Sequence, residues 1–258
     1  MTGVPAPPAQ SLPAPSPWAA APPAQSRVAL VTGASRGLGR ALTTRLVAAG
    51  WRVVGDGRDA AVLAAAVRDL DRPELVAPVA GDVADPRHRT DLVAAVERLG
   101  RLDLLVANAS ALGPTPLPPL AELDPADLER VLAVNVVAPL ALVRALLPVL
   151  RRCRGRIVTV SSDAAVEAYP GWGAYGASKA ALDHLSAVLA VEEADLRVYA
   201  VDPGDMATAM HVAAVPDADP AGLAAPDDVV PALLRLAEGG LPSGRYRAAD
   251  LRPAGTGS

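Results

Sequence analysis

The chain has 258 residues, 51% of them apolar, with a net charge of −4 and a pI near 5.4. That is ample for one large α/β domain, and it offers no basic field for a nucleic-acid backbone. Phe is absent and aromatics make up 3%, so the core must be built from Ala, Val and Leu, with small side chains packing helices closely on a sheet.

Residues 1–26 are a run of Pro and Ala with Ser and Gln, expected to be a disordered or loosely polyproline tail. The run lacks a basic start and an uninterrupted apolar stretch, so it is a poor secretory signal, and no later stretch reads as a membrane span. The single Cys153 cannot form an internal disulfide. It lies beside Arg151, Arg152 and Arg154 with no placed base, and is given no catalytic role. A soluble, cytoplasmic protein is the expectation.

From Arg27 onward, short β-branched or apolar runs alternate with Ala/Leu-rich amphipathic stretches. Strands are predicted at Val28–Thr32, Arg52–Gly55, Leu75–Ala80, Leu102–Ala107, Arg156–Ser161 and Arg197–Val201. Helices are predicted at Gly37–Ala49, Ala60–Leu70, Pro86–Leu99, Pro125–Leu150, Gly173–Ala194 and Pro226–Glu238. This alternation implies right-handed βαβ crossovers and a doubly wound parallel sheet, a three-layer α/β/α Rossmann fold in one domain over 27–250, followed by a flexible tail from 251 to 258. In such sheets ligands bind outside the carboxyl ends of the strands.

The first strand runs through Thr32-Gly33-Ala34-Ser35-Arg36-Gly37-Leu38-Gly39 into a helix. Glycines there let the backbone approach a pyrophosphate, and the helix N-terminus supplies free N–H groups. A dinucleotide site is the expectation. At the end of the second strand, Gly57 is placed at the position that discriminates between nicotinamide cofactors, with Arg58 just after it and Arg36 reaching from the turn. Two guanidiniums suit a 2′-phosphate, so NADP(H) is favoured. Asp56 is the confounder, because a shift of one residue would put its carboxylate at the ribose and favour NAD(H).

The helix over Asp127–Leu150 is apolar almost all the way round after its first turn. A sheet covers one side only, so a homo-oligomer formed through this helix is expected. Further on, Tyr175 and Lys179 are four apart and share a helix face. A phenol with a reference pKa of about 10 is protonated at neutral pH, and a neighbouring ammonium favours the phenolate. The pair alone is common on helices; the motifs around it give it weight. His88, His184 and His211 are scattered without metal-ligand spacing, and no metal is expected.

With these motifs placed, the chain resembles the classical short-chain dehydrogenase/reductase family over essentially all of residues 27–250. The likeness rests on the glycine turn, Asp82-Val83, Asn108-Ala109-Ser110, Asn135, Ser162, Tyr175 with Lys179, and Asp202-Pro203-Gly204, in that order. The resemblance implies that Gly33, Ser35, Arg36, Gly37, Leu38 and Gly39 border the cofactor phosphates. Asp82, with Val83 beside it, would contact the adenine, and Asn108 would steady the central strand. Pro203, Gly204 and Thr208 would line the nicotinamide. It also implies Tyr175 as the acid–base residue and Lys179 as its electrostatic partner and ribose ligand. Ser162, thirteen positions before Tyr175, would orient a carbonyl, and Asn135 would anchor a relay water. Ser161 is then expected to be a strand-end backbone position.

The implied activity is interconversion of a carbonyl and an alcohol; a catalytically idle NADP(H)-binding subunit or sensor is the alternative. Three departures stand out. Ser110 replaces the usual glycine, which would crowd the cofactor slightly, and Asp163 puts an acid after Ser162, either solvated or disfavouring anionic substrates. The chain also lacks the longer glycine-rich ending common in tetrameric members, so a homodimer is favoured over a homotetramer, using the 127–150 and 173–194 helices. The segment Asp205–Ala225 is the expected substrate cover, with Met206, Met210 and Trp172 as pocket walls. A small or medium apolar ketone or alcohol is the expected substrate, a 3-oxoacyl thioester the alternative.

Overall fold

The computed structural model describes residues 26–251. The expected Pro/Ala-rich tail lies outside the described residues except for Ser26. Seven strands form one sheet in the order β3-β2-β1-β4-β5-β6-β7. They are β1 (Val28–Val31), β2 (Arg52–Gly57), β3 (Val76–Ala80), β4 (Leu104–Ala107), β5 (Arg156–Val160), β6 (Arg197–Asp202) and β7 (Gly244–Arg247). Every neighbouring pair is parallel. The expected doubly wound sheet is therefore present, and the order reverses at β1, which pairs with β2 on one side and β4 on the other.

Period-two alternation divides the strand residues between two apolar layers. Ala29, Val31, Val53 and Val106 pack with α1 (Gly37–Ala48), α2 (Ala60–Arg68) and α8 (Pro226–Glu238). Val28, Leu30, Val54 and Leu105 pack with α3 (Pro86–Leu99), α5 (Ala138–Cys153) and α6 (Gly173–Glu192). Three helices start on Asp N-caps whose carboxylates accept first-turn N–H groups: Asp59 for α2, Asp85 for α3, and Asp124 for α4 (Pro125–Leu132).

Four features depart from the expectations. First, the helix over 125–150 runs to Cys153 and is interrupted by a π-turn at Ala133–Val137, centred on buried Asn135. Second, this run, Pro125–Cys153, is long and apolar enough to cross a membrane, with a mean hydropathy of 2.0, where no such stretch was expected. Here its buried residues Ala138, Leu142, Leu146 and Leu150 pack into the core beneath the sheet. Third, a seventh strand, β7, extends the sheet beyond β6 in a stretch where no strand was predicted. It is four residues long, polar and mostly exposed, so its sequence carries no apolar alternation to announce it. Fourth, Leu251, where a flexible tail was expected to begin, is buried in the core at 5% exposure, and residues 252–258 lie outside the described ones.

The segment between β6 and α8 also acquires structure. It carries α7 (Ala209–Ala214), and its two ends are pinned by a bridge between Met206 and Ala224, with Ala207 N donating to Ala224 O at 2.9 Å and Ala224 N to Asp205 O at 3.1 Å.

Candidate active site

Beyond Val31 and Val106 the central strands β1 and β4 stop pairing, and a cleft of ≈ 1800 Å³ opens at the carboxyl ends of the sheet. Its floor is fixed by Thr32 and Asn108. Thr32 Oγ1 accepts from Asn108 N (3.0 Å) and Ala109 N (2.9 Å), while Asn108 Nδ2 donates to Thr32 O (2.8 Å). The cleft reaches from Arg58 and Asp82, across the glycine turn, to Ser162, Tyr175 and Lys179. Leu38, Val83, Pro203, Gly204 and Thr208 also line it, so the residues singled out in the sequence come together around one cavity except Gly39 and Asn135, which are not in its lining.

The glycine turn fits a dinucleotide on two counts. Gly33 and Gly37 have φ of +70° and +53°, and a Cβ on Gly39 would lie 2.2 Å from Gly33 O and 2.5 Å from Asn108 Nδ2. No larger residue is accommodated there. In addition, α1 has no side-chain cap and no acid in its first turn, in contrast to the Asp-capped α2, α3 and α4. Its leading N–H groups point at the cleft with the positive end of the helix dipole unopposed.

Asp56 is tied down by protein. Oδ1 accepts Gly33 N at 2.5 Å, Oδ2 lies 3.2 Å from His88 Nε2, and the residue is 2% exposed. His88 is thereby satisfied within the core. Gly57 faces Ser35, with Oγ 2.9 Å from where a Cβ would sit, and Arg58 follows at the exposed mouth. Among the described residues, neither Arg36 nor Arg58 has an ion pair or side-chain hydrogen bond to another residue.

At the other end, α6 delivers Tyr175 and Lys179 to the cleft side by side, with Lys179 Nζ 5.4 Å from the centre of the Tyr175 ring. Lys179 is the chain's only lysine. It is 1% exposed, and Nζ donates to Val160 O at 2.7 Å. Loss of hydration brings its pKa down to about 8, with Asp183 pulling the other way. Burial pushes the Tyr175 phenol up to about 12; hydrogen bonds with Ser110 and Ser162 act against this, and Asp163 and Asp202 add to it. Burial therefore outweighs the expected pull of the ammonium towards the phenolate.

Ser162 begins the turn after β5. Its hydroxyl donates to Asp163 Oδ1 at 2.8 Å, and its oxygen accepts Ala164 N at 3.2 Å. Asp163 also accepts the Tyr169 hydroxyl at 3.0 Å. Its carboxyl stays below the usual range: burial pushes it upward, but the hydrogen bonds from Ser162, Tyr169 and the Ala164 amide prevail. Ser161 is the expected strand-end backbone position, its N–H donating to Val201 O at 2.7 Å, and its hydroxyl also donates to Asp183 Oδ2 at 2.8 Å.

Asn135 is 1% exposed, and all four of its hydrogen-bonding positions are filled by protein. Oδ1 accepts from Ala111 N (2.7 Å) and Ser110 Oγ (3.2 Å); Nδ2 donates to Ala111 O (2.8 Å) and Ser178 Oγ (2.9 Å). It clamps the loop after β4 to the helix that carries Tyr175. Ser110 occupies the corner between Asn135 and Tyr175 and was read in the sequence only as a crowding substitution. Leu112, Ala164 and Tyr175 form a small apolar cluster against Leu117, Trp172 and Met210, with the Trp172 ring edge-on to Tyr175 at 5.6 Å. This makes an apolar wall beside the phenol, with Met210 contributed by α7.

A model of the short chain dehydrogenase family matches residues 27–219. An uncharacterized oxidoreductase of Saccharomyces cerevisiae is 35% identical over 194 residues, 72% of this chain and 73% of that protein. The benzil reductase ((S)-benzoin forming) of the same yeast is 37% identical over 194 residues, again 72% of this chain and 73% of its own. Among solved structures, a short chain dehydrogenase from Shigella flexneri complexed with NADP superposes with a TM-score of 0.79 at 31% identity, covering 86% of this chain and 97% of that one.

The buried lysine generates a stability prediction. Its pKa is about 8 folded against 10.5 for the free side chain, so between those values the unfolded chain binds more protons and folding stability gains with rising pH. Wild type should gain on Lys179→Met by on the order of a few kcal/mol between pH 7 and 10. Urea denaturation of both at several pH values measures this, and parallel stability–pH curves would refute it.

Proposed function

The chain belongs to the short chain dehydrogenase family of oxidoreductases, and we propose that it reduces a carbonyl to an alcohol using NADPH, or runs the reverse reaction, through Ser162, Tyr175 and Lys179. The observation that carries this reading is the convergence of those three side chains at the far end of a cleft whose near end is an uncapped, glycine-rich helix start.

A bound nicotinamide supplies hydride to the carbonyl carbon. The chain's own residues manage the oxygen and the proton. The Ser162 and Tyr175 hydroxyls are placed to donate to the carbonyl oxygen as negative charge builds on it. For Ser162 this means turning its proton away from Asp163. Tyr175, pushed up to about 12, keeps its proton at neutral pH and is ready to deliver it to a more basic alkoxide. Lys179 brings a positive charge beside the ring and a donor towards the cofactor ribose. Asn135, its side chain saturated, acts by position: a relay water near it would be held by the main chain of the π-turn, where the regular helical bonding is interrupted.

For the cofactor, Arg36 and Arg58 stand exposed at the adenosine end, and Asp56 is turned inward to Gly33 and His88. This supports a 2′-phosphate in preference to a bare ribose. For the substrate, the apolar wall of Leu112, Trp172 and Met210 supports an apolar ketone, and the ionised Asp163 beside Ser162 weighs against an anionic thioester. For assembly, Val137 and Leu140 on one helix run and Val188 and Val191 on α6 are 52%, 51%, 40% and 81% exposed, which supports a homodimer through these outer faces. A reducing cytoplasm suits the single thiol.

Three outcomes are expected. Tyr175→Phe should keep cofactor affinity and lower turnover by roughly a hundred- to ten-thousand-fold, the usual loss for a missing general acid; unchanged turnover with a ketone panel would refute the mechanism. Arg58→Ala should weaken NADPH binding about tenfold or more and leave NADH nearly unchanged; equal effects in fluorescence titrations would remove the phosphate contact. Sedimentation at micromolar concentration should show a dimer, and a stable monomer would dispose of the outer-face interface.

A further inference from the structure

We propose that Arg245, on the edge strand β7, is a positioning residue that ties two strand ends of the reaction site to the helix carrying Lys179 and balances the carboxylates facing Lys179 and Tyr175. The proposal rests on the reading of those two residues as the proton-transfer pair.

Arg245 makes contacts to three separate parts of the site. Nη2 donates to the backbone carbonyl of Ser162, the carbonyl-orienting residue after β5, at 2.8 Å. Nε donates at 2.9 Å to Asp183 Oδ2, one helical turn beyond Lys179 on α6. Nη2 also lies 3.6 Å from Asp202 Oδ2 at the end of β6, and the other oxygen of Asp202 accepts Gly204 N at 3.0 Å, holding the turn that lines the nicotinamide side. A single planar cation thus fixes the serine, the lysine helix and the Pro203-Gly204 turn relative to one another. A guanidinium can do this because its donors diverge in a fixed plane; an ammonium is a point charge.

The carboxylates it meets are largely out of water, with side-chain exposures of 13% for Asp183 and 6% for Asp202, against 29% for Arg245. Asp183 Oδ1 is buried without a hydrogen-bond partner, an expensive arrangement for an ionised group unless its charge has a use. That charge acts on Lys179, and the charge of Asp202 acts on Tyr175. The charged groups around the pair are then Asp163 from the turn after β5, Asp183 from α6, Asp202 from β6 and Arg245 from β7. Arg245 is the only cation among them apart from Lys179 itself. Without it, two carboxylates would face the pair uncompensated, and both Lys179 and Tyr175 would hold their protons more tightly.

Because Lys179 is the only lysine, its Cε gives a single resonance in protein labelled with ¹³C-lysine, and its titration can be read without turnover. In wild type the midpoint should lie at about 8, where burial brings the lysine. Arg245→Gln should raise it by about half a pH unit or more, and Asp183→Asn should lower it. If Arg245→Gln alone fails to fold, Asp183→Asn is compared with Asp183→Asn/Arg245→Gln, whose midpoint should be the higher of the two. A loss of packing alone would not move the two single variants in opposite directions. An unmoved midpoint on removing Arg245, in either background, overturns the proposal. Failure of wild type to reduce any ketone would instead count against the proposed function and leave this titration readable.

Discussion

The parting of β1 and β4 is the constraint from which the rest of the site follows. Their pairing ends at Val31 and Val106, after which Thr32 and Asn108 exchange side-chain and backbone bonds in place of further ladder. The chain on one side turns through the glycines into α1; on the other it runs through Ser110 and Ala111 to the clamp of Asn135. A doubly wound sheet must open a crevice where its strand order reverses. Here the crevice is bounded by part-buried polar bonds between elements of the protein itself.

Within that crevice, desolvation dominates the electrostatics. Lys179 has lost its water and touches a single backbone carbonyl, and Tyr175 sits under an apolar wall. Desolvation shifts both groups towards their neutral forms, the tyrosine's pKa to about 12 and the lysine's to about 8, which still leaves the ammonium dominant at neutral pH. The anionic groups around them pull the other way for the lysine and the same way for the tyrosine. A neutral phenol beside a buried lysine whose ammonium has been weakened by lost hydration is the arrangement that the proposed proton delivery uses.

The sequence made much of this legible because its strongest signals are local. Strand–helix alternation, the glycine turn and the four-residue spacing of Tyr175 and Lys179 each depend on neighbours within one element, and all appear where they were expected. What escaped depends on residues far apart. The π-turn is centred on Asn135, whose amide bonds Ala111, 24 positions earlier. Asp56 is turned inward by His88, 32 positions later. β7 is a polar edge strand whose pairing is its only signature, and Arg245 finds its partners 43, 62 and 83 positions away. Composition and periodicity contain no record of such meetings.

Those long-range contacts also explain why an exposed, polar strand matters to a site built from buried ones. The motifs deliver Ser162, Lys179 and the Pro203-Gly204 turn from three different elements, and nothing in the motifs fixes their mutual spacing. β5 and β6 are hydrogen-bonded neighbours, but beyond Val160 and Val201 the ladder no longer holds them in register. α6 lies on the face of the sheet. A cation arriving from the adjacent edge can bridge all three at the point where backbone pairing gives out. The edge strand thereby extends to the Ser162–Lys179 end of the cleft the kind of polar fixing that Thr32 and Asn108 supply at its centre.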